Sequence, residues 1–184
     1  MITNDSCGIH VHVDGSSQTA RSLYHLSNVM SKMEPTLFKA LNTNTIRQEK
    51  WCRKADPVFI HLINNSKNST IDYIKKAWYW KEDPGLHYNQ TRYHALNLHS
   101  LWKGKGVEFR MFNSTTHAGK VKAYIQLCLA ITAKVVSTNY DSRFYMETEF
   151  TEESFKYWLL YLGLSEASLK LQDFICCQTL KRMH

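Results

Sequence analysis

Residues 107–112 read VEFRMF, and their alternation sets the fold class. Val107, Phe109 and Met111 fall on one side of an extended strand and Glu108 and Arg110 on the other, the period-two pattern of a strand with one face on a core. An acid and a base two residues apart describe a solvated cross-strand ladder. They equally describe a carboxylate for a cation beside a guanidinium for a phosphate or carboxylate.

Working outward, a Gly104-Lys105-Gly106 turn precedes this strand and YHALNLHSLW, residues 93–102, precedes the turn. That stretch predicts a strand with Tyr93, Ala95, Asn97 and His99 on one face and His94, Leu96, Leu98 and Ser100 on the other. Arg92, at its entrance, suits bidentate binding of a substrate anion and equally a surface arginine leaving a loop.

Near the start, CGIHVHVD, residues 7–14, has the same design. His10, His12 and Asp14 share one face, about 6.6 Å apart per two residues, while Ile9, Val11 and Val13 face a core. Imidazole is a metal ligand and, when protonated, a phosphate donor; a wet strand face that happens to carry histidines fits the same pattern. Asp14 before Gly15 suits a turn.

The remaining chain reads as helices with one further strand. Ser16 or Ser17 caps a helix to about Lys32, and Leu23, Leu26, Val29, Met30 and Met33 form its apolar face. Pro35 opens a short second helix to Leu41. Val58 to Ile63 predicts a strand, Asn64 to Ser69 a loop, and Ile71 to Trp80 a helix capped by Ser69 or Thr70. Ala118 to Ser137 is apolar all round, which predicts a helix central to the core. Glu152 to Leu162 and Ser165 to Leu180 predict two more helices, parted at Gly163. With no repeat or linker, residues 1–184 read as one α+β domain.

The formal charge is +7, from 23 Lys and Arg against 16 Asp and Glu. The densest basic groups, Lys75-Lys76, Lys103-Gly104-Lys105 and Lys181-Arg182, are short, which describes a basic solvated surface first and attraction for ATP or another polyanion next. Nucleic acid is the weaker reading. Cys7, Cys52, Cys128, Cys176 and Cys177 form neither a CxxC pair nor a disulfide framework, so a reduced, cytoplasmic protein with a buried Cys128 is expected. No stretch predicts a membrane span.

CGIHVHVD, then RYHALNLHSL, then VEFRMFNST and an apolar helix, in that order over residues 4–137, resemble the amidoligase family of the glutamine synthetase and glutamate-cysteine ligase superfamily. The C-terminal part, 138–184, carries none of these motifs. The resemblance implies a curved antiparallel sheet of the glutamine synthetase type packed against helices, with the active site on its polar face. It implies ATP-dependent joining of a carboxylate to an amine through an acyl phosphate, assisted by Mg²⁺ or Mn²⁺. By motif position, His10 and Glu108 would bind metal, and His12 and Arg110 the nucleotide phosphates. Arg110 and Arg92 would act in catalysis, and Arg92 and Asn97 would contact substrate.

The family usually begins with a G-x-E-x-E strand upstream, and only six residues precede Cys7. The expectation is therefore an N-terminally truncated form, or one whose site a second chain or another copy completes. Glu147-Thr148-Glu149 suits a loop before the next helix rather than a replacement for that strand. One glutamate and one histidine are a poor site for Mg²⁺, which prefers oxygen ligands.

Two other readings compete. A zinc hydrolase would join His10 and His12 to His61, His94 or His99, although the chain is too short for the usual (β/α)₈ host. A non-catalytic module would use the basic surface to bind nucleic acid or a partner protein.

Overall fold

The computed structural model describes residues 7–67, 70–137 and 151–164. They form an α+β fold in which a small, open antiparallel sheet packs against helices. The sheet has the order β1-β3-β2, with β1 at Gly8–Val13, β2 at Leu96–Asn97 and β3 at Val107–Asn113 in the middle. The proposed helix at 165–180 and the 147–149 stretch lie outside the described residues.

Directly opposed residues of an antiparallel pair lie on one face, so the register assigns the faces. Val11 pairs with Phe109 and Phe109 with Leu96, one row turned to the core; His12 pairs with Glu108 and Glu108 with Asn97, the next row turned the other way. Between Ile9, opposite Phe112, and Val11, opposite Phe109, β3 spends one residue more than β1. Arg110 and Met111 therefore both stand opposite His10, the two-against-one count of a β-bulge. The bulge reverses the alternation and brings Phe112, as well as Phe109, onto the core face.

Helix α1 (Ala20–Ala40) starts at Thr19, whose side chain accepts the Ser22 N–H while Ser22 Oγ accepts the Thr19 N–H. The break expected at Pro35 does not occur, and one helix runs through it. A proline inside a helix costs about 3 kcal/mol. Leu37 and Phe38 beyond it continue the buried face of Leu26, Val29, Met30 and Met33, and each buried side chain contributes roughly 2 kcal/mol. Asn42, with φ 47°, turns the chain out of the helix, as asparagine tolerates better than most residues.

Short helix α2 (Thr45–Lys50) leads to the segment expected as a strand, which is helix α3 (Pro57–Asn65). Asp56 accepts the Val58 N–H at 2.8 Å and Pro57 occupies the first turn, a helix start. Only Phe59 and Ile63, four apart, are buried there. Helix α4 (Ile71–Trp78), capped by Thr70, matches its expected start. The expected strand at 93–102 is mostly absent: a 3₁₀ turn at Gln90–Tyr93, the two residues of β2 and helix α5 (His99–Trp102) take its place.

Helix α6 (Ala118–Ser137) packs on β1 and α1 and buries Tyr124, Leu127, Cys128, Ile131 and Val135. It is not buried all round, because Ile125, Leu129 and Val136 are exposed. Helix α7 (Glu152–Tyr161) starts at Thr151 as expected and buries Phe155, Trp158 and Leu159. Among the described residues no helix is long and apolar enough to cross a membrane.

Glu34 is buried in α1, where one carboxylate oxygen accepts the Ala55 N–H at 2.8 Å and the other has no partner among the described residues. Burial pushes its carboxyl up to about 8, against the opposing pull of the Ala55 N–H and Lys54. A carboxyl whose folded pKa is raised binds more protons folded than unfolded, so stability falls as pH rises from the unfolded value toward about 8. Glu34→Gln should leave stability unchanged near pH 4.5 and gain over the wild type by on the order of 1 kcal/mol per pH unit above it. Urea unfolding across that range checks this; a gap that does not widen with pH contradicts it.

Candidate functional site

Glu108 stands at the centre of the polar row. Its Oε1 accepts the Arg110 Nη1–H at 2.8 Å, lies 2.9 Å from His10 Nδ1 and 3.6 Å from His12 Nε2. Its Oε2 accepts the Asn97 side-chain amide. Burial opposes ionisation of this carboxyl, but the His10 hydrogen bond, the Arg110 charge and the Asn97 amide outweigh it and hold the pKa down at about 2. Glu108 is thus a buried anion, paired with the Arg110 guanidinium and flanked by His10 and the Asn97 amide.

The sequence pattern predicts Glu108 and Arg110 on an open face; both are instead 4% exposed. Arg110 is covered because its Nε donates to the Trp51 carbonyl at 3.2 Å and its guanidinium lies 5.6 Å from the Tyr93 ring centroid. Its own carbonyl accepts from Arg47 Nη2 at 3.0 Å. β1 does present its imidazoles outward, with 34% of the His10 side chain and 43% of the His12 side chain exposed. His12 Nδ1 lies 3.1 Å from the Lys105 carbonyl and 3.2 Å from Ser100 Oγ. The carbonyl can only accept, so Nδ1 carries a proton and Nε2 turns toward Glu108.

Asp14 does not join this face. It accepts from the Ser16 N–H and hydroxyl, closing the turn it was expected to make. The turn before β3 is pinned more tightly. Gly104 and Gly106 have φ of 73° and 79°, and a side chain at Gly106 would meet the Val13 carbonyl oxygen at 2.3 Å. Only glycine allows that approach, and it fixes the Lys105 carbonyl against His12.

A cavity of about 530 Å³ opens over this row, within the usual range of small-molecule sites. The sheet supplies His10, His12, Asn97 and Glu108; the connecting segments supply Arg92, Lys103, Lys105, His87, His99 and Ser100. Among the described residues Glu108 is the single acid in this lining and is already paired with Arg110, so the described lining is cationic. Arg92 lies between Tyr88 and Tyr93, 5.5 and 5.6 Å from their ring centroids. Arg110 does not line the cavity; it sits behind Glu108. His99 does line it, from the first residue of α5 rather than from the strand face shared with Asn97.

Lys103, Lys105, His87 and Ser100 also line the pocket, although no motif marked them for it. The Gly104-Lys105-Gly106 turn was the one available signal, because two glycines around a lysine mark a backbone forced close to something. His61 and His94 do not approach the site. His61 pairs with Asn65, and His94 Nδ1 lies 2.6 Å from the Lys54 carbonyl. Among the described residues no group of three or more His, Cys, Asp or Glu side chains could hold a metal ion.

The fold and the site together define an α+β protein with a cationic pocket over the polar face of a small antiparallel sheet. A family model described as "Putative amidoligase enzyme" matches residues 1–132, and the chain belongs to that amidoligase family. No curated protein and no solved structure matches the chain.

Removing the Glu108 charge leaves Arg110 buried without its anion, a loss that typically costs about 3–5 kcal/mol. The carboxyl's depressed pKa contributes stability that is present above its ordinary value of 4.5 and is lost as pH falls toward about 2. Glu108→Gln should therefore be much less stable than the wild type at pH 7, with the gap closing between pH 4.5 and 2. Denaturant midpoints at pH 7 and pH 3 read it directly, and equal gaps at the two pH values contradict it.

Proposed function

We propose that the chain is an ATP-dependent carboxylate-amine ligase, working through an acyl phosphate on a sheet of the glutamine synthetase type. The single observation that carries this reading is the cationic pocket lying over the His12–Glu108–Asn97 row in a chain whose family is amidoligase. The pocket residues suit a triphosphate: Lys103, Lys105 and, when protonated on Nε2 as well, His12 would hold phosphate oxygens, and Arg92 with Asn97 the carboxylate substrate. When bound, the nucleotide supplies the phosphoryl group that activates the carboxylate for attack by the amine.

The chain's own residues prepare that chemistry. Lysines and arginine stand where negative charge accumulates, which is where fixed donors lower a phosphoryl-transfer barrier. Arg110 would reach the transferring group only by opening its pair with Glu108, so its first role is to hold Glu108 and, through it, His10 and Asn97. Metal ligation by His10 and Glu108 remains part of the proposal only with help. Both Glu108 oxygens are engaged, and a hard divalent cation needs several oxygen ligands. This chain's described residues alone do not fit Mg²⁺ or Mn²⁺; further carboxylates from a second chain or another copy would complete the set.

Calorimetric titration of the folded chain with ATP and Mg²⁺ tests the reading. Binding that weakens about tenfold in His12→Ala, the usual effect of one charge-assisted hydrogen bond, is expected. A well-folded wild type that binds no ATP overturns it.

A further inference from the structure

Tyr79, which belongs to no motif, and His99, twenty residues on in the RYHALNLHSL stretch, meet beside the pocket. The Tyr79 hydroxyl lies 2.6 Å from His99 Nδ1, and the two rings stand edge to face at 82°. Tyr79 is 7% and His99 5% exposed. His99 lines the cavity, and its Nε2 has no hydrogen-bond partner among the described residues; nor is it one of the buried, unpaired polar atoms. The imidazole therefore has its back edge tied to a phenol and its front nitrogen open to the pocket.

The direction of the Tyr79–His99 bond decides what that nitrogen can do. Burial pushes the Tyr79 hydroxyl up to about 12, so it keeps its proton. Burial, then Lys103, Arg92 and His87, push the His99 imidazole down, so the ring is neutral. The Tyr79 hydroxyl is buried, and His99 Nδ1 is its one hydrogen-bond partner among the described residues. An O–H that keeps its proton and has no other acceptor donates there, because the opposite direction would bury an unsatisfied donor. Nδ1 is then the acceptor, and the ring proton is on Nε2.

We infer that His99 is a ligand-binding residue whose Nε2–H donates to an oxygen of a phosphate or carboxylate anion held by Arg92 and Lys103, and that Tyr79 is the positioning residue that fixes this tautomer. A neutral donor among cations has a specific use. It adds a directed hydrogen bond to an anion oxygen without adding to the mutual repulsion of Arg92 and Lys103 in the empty pocket. The inference rests, as the proposed function does, on this cavity being the ligand site, but it requires no reaction there.

The test uses the whole chain and tripolyphosphate, an anion with no base and no transferable carboxylate. Long-range ¹⁵N–¹H correlation spectra should show His99 protonated on Nε2 in the wild type and a mixture of tautomers in Tyr79→Phe. Tripolyphosphate affinity should fall about tenfold in His99→Phe and about threefold in Tyr79→Phe, the range for one hydrogen bond to a charged group. It should stay within about twofold of wild type in His99→Gln, whose amide places an N–H near the lost Nε2–H. In the His99→Gln background, Tyr79→Phe should cost nothing further, which separates tautomer control from packing. Circular dichroism and thermal melting confirm that each variant is folded.

An Nδ1–H tautomer, equal affinity in wild type and folded His99→Phe, or no tripolyphosphate binding by the folded wild type each overturns the inference. The outcomes are separable from the ligase reading. ATP binding that ignores His99→Phe ends this inference alone. Tripolyphosphate binding that depends on His99, in a chain that shows no affinity for ATP, ends the ligase reading alone.

Discussion

A single buried carboxylate organises this protein's polar face. Glu108 sits on the central strand, so whatever it holds is held relative to both neighbours: His10 and His12 on one side, Asn97 on the other. An isolated carboxylate in so dry a place would protonate. Arg110 two residues along, one imidazole and one amide keep it ionised instead. The cluster is costly to assemble and more costly to break, because either partner alone leaves an uncompensated charge. Such a cluster fixes one register of three strands, since a slip of one residue would turn Glu108 into the core.

The bulge at Arg110 and Met111 makes this compatible with a packed sheet. Strict alternation would place Phe112 on the polar face. With one extra residue against His10, the strand buries Phe109, Met111 and Phe112 while Arg110 still reaches Glu108. The same bend carries the Arg110 guanidinium beneath Trp51 and Tyr93, out of the pocket and into a supporting place. The cations that face a ligand come from elsewhere: Arg92 after a loop, and Lys103 and Lys105 from the glycine turn that presses on β1.

Much of this was legible in the sequence. Alternation in CGIHVHVD and VEFRMF assigned the core faces of β1 and of β3 up to its bulge, and the order of the motifs gave the family. The polarity of the site was legible too, but its dryness was not: a solvated Glu–Arg ladder and a buried ion pair have the same spacing, and only covering groups distant in sequence distinguish them. Met111 and Phe112, two apolar residues in succession, were the trace of the bulge. Val58 to Ile63 read as a strand because a short apolar run has no period, although Asp56-Pro57 before it is a helix start. YHALNLHSLW alternates by composition, but its backbone turns into α5 after Asn97, so His99 meets Tyr79 instead of continuing a strand.

The central claim is that ligand binds over the His12–Glu108–Asn97 row, and the chain's nine histidines are reporters for it. Imidazole carbon–proton resonances should be followed while ATP is added to the folded chain. The account predicts that the resonances of His10, His12, His87 and His99 move together and saturate, while those of His25, His61, His94 and His117 stay in place. Saturable shifts at His61 or His94 with the four pocket histidines unmoved would contradict it and place the ligand on another face of the molecule.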